Sequence, residues 1–184
     1  MVAATASRAA ASGQTRIVDL PLRADSADPF TRADVVITGL DHSGVSYEVR
    51  LFLNNPDATA DTPRDADHGY AGRLTVFGHG GCYGDLGHCD VPAPSTDPTD
   101  LRPAHPLTPL DTFVTITDAL QRVFTDSGAL DTVTLVPVSI TPRRSDRGPA
   151  PELLHFHDVS LHTYLTPDGP DITQPLTATA TLTS

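Results

Sequence analysis

The chain predicts an all-β fold, an antiparallel β-sandwich of jelly-roll-like type with one short helix and a long Gly/Pro-rich loop. Three observations point there. Short runs rich in Val, Leu, Ile and Thr recur along the chain, turn residues separate them, and no βαβ alternation or internal repeat appears. The 184 residues suit a single domain with a sizeable core. A hydrophobic content of 39% is enough to fill that core.

Residues 1–15 are small and polar and read as a flexible lead-in. The β-sandwich domain then runs over 16–165, with 166–184 as an extended Thr- and Pro-rich tail. Residues 16–22 form the first expected strand and 34–38 the second. In 45–53 the alternation is clear: Val45, Tyr47, Val49, Leu51 and Leu53 share one face, with Ser46, Glu48 and Arg50 on the other. Asn54-Asn55-Pro56-Asp57 ends that strand with turn chemistry. A polar loop leads to His68, and 70–77 is the next strand. Residues 78–111 break the pattern, with many Gly and Pro residues, both cysteines and three histidines. A loop this long in a compact domain is often functional. Strand character resumes at 113–116. A short helix follows, with Thr117 as N-cap, Leu120, Val123 and Phe124 on one stripe and Gly128 as the stop. Residues 132–140 and 153–165 are the last strong strands.

The net charge is −11, and every cationic side chain is Arg. A negative surface without a basic stripe repels phosphate, which argues against nucleic acid and anionic membranes as partners. No apolar run approaches the ~20 residues needed to span a bilayer. The N-terminal segment holds no continuous apolar core of a secretion signal, so the expected location is cytoplasmic. Other chemistries find no motif: there is no G-x-S-x-G elbow, no P-loop and no G-x-G-x-x-G fingerprint.

The chemistry-bearing residues fall in two clusters. His79, Cys82, His88 and Cys89 lie within eleven residues of a Gly-rich loop. Imidazole and thiolate together suit copper or zinc, and glycines let the backbone wrap an ion. The alternative is that Cys82 and Cys89 form a disulfide or stay reduced, with the histidines hydrogen-bonded in the loop. His155, His157 and His162 form the second cluster. In a regular strand His155 and His157 share a face while His162 points the other way, unless a bulge near Asp158 turns it round. The alternative for these is a solvated sheet face. His42, in the expected turn Asp41-His42-Ser43-Gly44, His68 and His105 have weaker claims.

The stretch YEVRLFLNNPDATADTPRDADHGYAGRLTVFGHGG (47–81), followed by CYGDLGHCDVP, DLRPAHPLTP, VTITDAL and LLHFHDVSLHTY, resembles the C-terminal β-domain of the tyrosinase, polyphenol oxidase and haemocyanin family. The resemblance covers residues 16–165. It lacks the helical domain whose histidines hold two coppers, so it implies no self-sufficient tyrosinase. In that family the β-domain packs beside the copper domain, sometimes shielding its site or assisting copper loading.

Two functions follow as expectations. The first is a small copper-binding protein, with zinc as the other possible metal, acting as a copper-dependent oxidoreductase on a small phenolic or amine substrate. His79 or His88 with two histidines of the last strand would give a three-nitrogen site open on one side. Tyr70, Tyr83 or Tyr164 would serve as proton donor or redox partner, each with core packing as the alternative. The second is a non-catalytic accessory domain that caps or copper-loads a separate tyrosinase-like partner.

Overall fold

The computed structural model describes residues 7–9, 15–80, 84–93, 95–140, 152–165 and 180–182. In chain order the strands are β1 (Ser7–Ala9), β2 (Arg16–Arg23), β3 (Arg32–Leu40), β4 (Tyr47–Leu53), β5 (Tyr70–Val76), β6 (Leu110–Thr115), β7 (Ala129–Ser139), β8 (Asp158–Tyr164) and β9 (Ala180–Leu182). Among the described residues one helix, α1 (Thr117–Asp126), and a 3-10 turn at Ala66–His68 complete the set. Two sheets result, ordered β1-β2-β7-β4-β5 and β6-β3-β8-β9, with every pair antiparallel. The expected all-β sandwich is the observed fold. The segment read as a flexible lead-in contributes β1, which pairs with β2.

Alternation explains the core. Tyr47, Val49, Leu51 and Leu53 of β4 face inward and meet Ala33, Val35 and Ile37 of β3, with Val133, Leu135, Val159 and Leu161 from the strands beside them. Burying a Val or Leu side chain fully stabilises by about 1.5–3 kcal/mol, so this layer dominates the stability of the sandwich. The outward face of β4 is not bare. Phe52 packs with Ala58 and Val136 under the loop that leaves β4, against Tyr70 and Val138. Asn54 anchors that loop in a left-handed conformation, φ 52°. Its side-chain oxygen accepts from the amides of Asp131 and Thr132, and its amide nitrogen donates to the Ala129 carbonyl. This ties the end of β4 to the start of β7.

Helix α1 caps one end of the sandwich through Leu120 and Ala119, both buried. Thr117 was the expected N-cap. Ile116 holds that position instead, and the Thr117 hydroxyl accepts from the Ala33 amide, fixing the helix start to β3. The helix ends before Gly128, whose φ of 73° suits a glycine after a helix C-terminus. Pro137 lies in β7, the middle strand of its sheet. The pairing with β2 stops at Leu135, so the missing amide falls where β7 has only β4 beside it.

Candidate metal centre

Four of the eight histidines, His42, His79, His155 and His157, lie at the end of the sandwich where β3 turns into β4. Asp41 opens that turn, its carboxylate accepting from the Ser43 amide at 2.8 Å. The chain leaving β5 runs beside the same turn. Gly78 N donates to Ser46 Oγ at 3.0 Å, His79 N to the His42 carbonyl at 3.0 Å, and Gly80 N to the Gly44 carbonyl at 2.7 Å. Only glycine fits at position 78, because a Cβ there would lie 2.2 Å from the Gly44 carbonyl oxygen. The close approach brings the His42 and His79 rings edge to face, with centroids 5.0 Å apart.

His42 is the residue that reasoning from the sequence passed over. It stands in the expected turn but is only 6% exposed. Its Nε2 lies 2.8 Å from the Thr108 carbonyl oxygen. A carbonyl can only accept, so Nε2 carries the proton and donates. The lone pair of the neutral ring then sits on Nδ1. Nothing in the local sequence signals this, since Thr108 is 66 residues away.

The last-strand histidines divide. His155 and His157 were expected within a strand, but β8 begins at Asp158 and both precede it, exposed. The His155 carbonyl accepts from the Asp41 amide, and the His157 amide donates to the Thr38 carbonyl. The His157 ring lies over Gly39, where φ is 64° and a Cβ would come within 2.3 Å of Nδ1. His155, Asp41, Tyr47, Gly80 and Glu152 line a cavity of about 330 Å³. Burial pushes the Asp41 carboxyl up, but hydrogen bonds from Ser43, with the His155 and His42 side chains nearby, hold it below its ordinary value. Burial, with the Asp41 carboxylate nearby, pushes the Tyr47 hydroxyl up to about 12. That hydroxyl donates to the Asp41 carbonyl.

His162 does not join this group. The β3–β8 register runs without a shift from Arg32 opposite Tyr164 to Thr38 opposite Asp158, so no bulge turns His162 round. It lies on the outer face, its Nε2 2.9 Å from Ser160 Oγ and its ring stacked near Tyr164. On the same face the Arg32 guanidinium pairs with Asp34 and sits between the Phe113 and Tyr164 rings, at 5.1 and 5.9 Å. Burial raises the Tyr164 hydroxyl above its ordinary value, and the Asp34 carboxylate adds to this. Tyr70 packs edge to face on Phe52 at the start of β5, the far end of that strand from His79. Seven residues at ~3.3 Å each put the two about 20 Å apart or more.

In the long loop, His88 is exposed with its ring against Gly84. Cys89 is disulfide-bonded, and a disulfide sulfur is not the thiolate that binds metal. Cys82 and Tyr83 lie outside the described residues. Among the described residues no group of three or more His, Cys, Asp or Glu side chains is placed to hold a metal ion. His105 and His68 serve their own turns: His105 Nδ1 accepts from the Leu107 amide, and His68 Nδ1 meets the Asp65 carboxylate. Among the described residues no helix is long and apolar enough to cross a membrane.

No protein-family model matches the chain, and no curated protein or solved structure matches it.

Proposed function

We propose that the chain is a non-catalytic accessory domain that docks on a separate tyrosinase-type dicopper subunit. The observation that carries this reading is the apolar surface of the long loop and the strand after it. Six of the nine exposed large hydrophobic residues among those described fall between 77 and 113. Phe77 is 77% exposed, Leu101 91%, and Leu86 stands fully in solvent. Scattered apolar side chains are ordinary on a surface, and six along one stretch of chain support a contact region there. Local bonds brace residues 97–102 of the loop. Asp97 accepts from Thr99, and Asp100 pairs with Arg102. A preformed loop loses less entropy on docking than a free one.

The occupant is a helical dicopper subunit, in keeping with the resemblance of residues 16–165 to the β-domain that covers such a subunit. The net charge of −11 favours a partner whose facing surface is basic. The Cys89 disulfide supports an oxidising compartment for the pair, where such bonds persist, with the cytoplasm as the alternative.

Titration calorimetry of the tag-free chain against a copper-loaded tyrosinase-type helical subunit tests the reading. A one-to-one complex is expected. Leu86→Asp with Leu101→Asp, both on the exposed loop, is expected to weaken it by about 2 kcal/mol or more. Absence of a complex, or equal binding by the variant, overturns the docking reading. Oxygen uptake on phenols by the copper-loaded chain alone would instead favour the copper-dependent oxidoreductase, for which the gathering of His79, His155 and His157 at one end is the support.

A further inference from the structure

The geometry points to a divalent-cation site formed by the side chains of His42 and His79, taking Cu(II) in preference to Zn(II). Bound imidazole nitrogens lie about 2.0–2.1 Å from such an ion, which puts two rings sharing it at centroid separations of roughly 4.5–5.2 Å for bond angles between square and tetrahedral. The His42 and His79 centroids are 5.0 Å apart. Rings on opposite sides of a linear two-coordinate ion would be about 6.4 Å apart by the same construction.

The pair is built before any ion arrives. The His42 Nε2–H donates to the Thr108 carbonyl at 2.8 Å. A ligating histidine commonly donates its second nitrogen to a backbone carbonyl in this way, which leaves the other nitrogen as the ligand atom. His42 is held at 6% exposure, so its ring does not have to be ordered on binding. His79 supplies the exposed side, and its backbone is fastened to the His42 carbonyl. The remaining coordination positions go to water, since no third His, Cys, Asp or Glu completes the set among the described residues. Two imidazoles without thiolate suit Cu(II) and Zn(II), and the affinity order of divalent metals places copper first.

This site is independent of the docking reading, because neither ring belongs to the exposed apolar side chains that carry it. The test uses the tag-free chain titrated with Cu(II) alone near neutral pH, followed by calorimetry and electron paramagnetic resonance. One equivalent is expected, with the hyperfine pattern of two imidazole nitrogens. His79→Ala, at an exposed position, is expected to lower the affinity about tenfold or more and to leave one nitrogen in the pattern. His42→Gln should do the same, with circular dichroism checking that the buried substitution leaves the fold intact. Unchanged binding in His79→Ala overturns the site, as does a copper signal that is lost in His155→Ala and kept in His79→Ala. Failure of the docking experiment would leave these results untouched.

Discussion

At the scale of single residues, Glu48 shows how an outward-facing charge becomes part of the frame. It sits on the face of β4 opposite the core yet is only 6% exposed. Arg50 Nε and Arg73 Nη1 donate to its two oxygens at 2.7 and 2.6 Å, and Arg64 approaches at 3.7 Å. Burial raises the Glu48 carboxyl, but the Arg50 and Arg73 hydrogen bonds outweigh it and hold the group below its ordinary value. A carboxyl depressed in the folded state adds stability above its unfolded value of about 4.3, and that contribution is lost as pH falls through the folded value. Glu48→Gln is therefore expected to destabilise at neutral pH by about 1–3 kcal/mol, the lower end reflecting the solvent around Arg73. It should also flatten the loss of stability below about pH 4.3. Urea unfolding across pH 3–7 measures both effects. The alternation of 45–53 placed Glu48 outward correctly, but its burial depends on Arg64 and Arg73, which the strand pattern does not contain.

At the scale of elements, strands were readable wherever one face is buried. β4 carries its alternation in the sequence, β2, β5 and α1 lie within a residue or two of the expected bounds, and β7 starts three residues before the expected 132. The spacing predicts the last strand from residue 153, whereas β8 starts at Asp158. Leu153, His155 and His157 continue the every-second-residue spacing, but the chain there crosses the end of β3 before pairing begins at Asp158. The site was less readable because it depends on tertiary contact. The sequence supplied His79, whereas its neighbour His42 was hidden in a turn closed by Thr108 from another loop. Gly78 controls that neighbour relation. Gly78→Ala would drive a methyl into the Gly44 carbonyl, so the two segments must separate. The expected result is a destabilisation of about 1–3 kcal/mol. Hydrogen exchange should show the His79 and Gly80 amides losing protection while β2 and β7 keep theirs.

At the scale of the whole molecule, the strand order predicts that the N-terminal portion cannot fold by itself. β7 lies between β2 and β4, and β8 lies beside β3. A chain ending at residue 128 keeps β1 to β6 and α1 but loses the strand that joins β2 to β4. It is expected to give the circular dichroism of an unfolded chain and no cooperative melting, and a cooperative transition would contradict this. The sequence made the sandwich legible but not this order, because alternation gives each strand a buried face and no partner. The same arrangement has a meaning in time. Arg16 pairs with Leu135, and Arg32 with Tyr164. At about 5–20 residues per second of synthesis, β2 waits roughly 6–24 s for β7 to be made. Throughout that interval the nascent chain presents open strand edges, so its yield in a cell depends on what shelters it at the ribosome as much as on the stability of the finished sandwich.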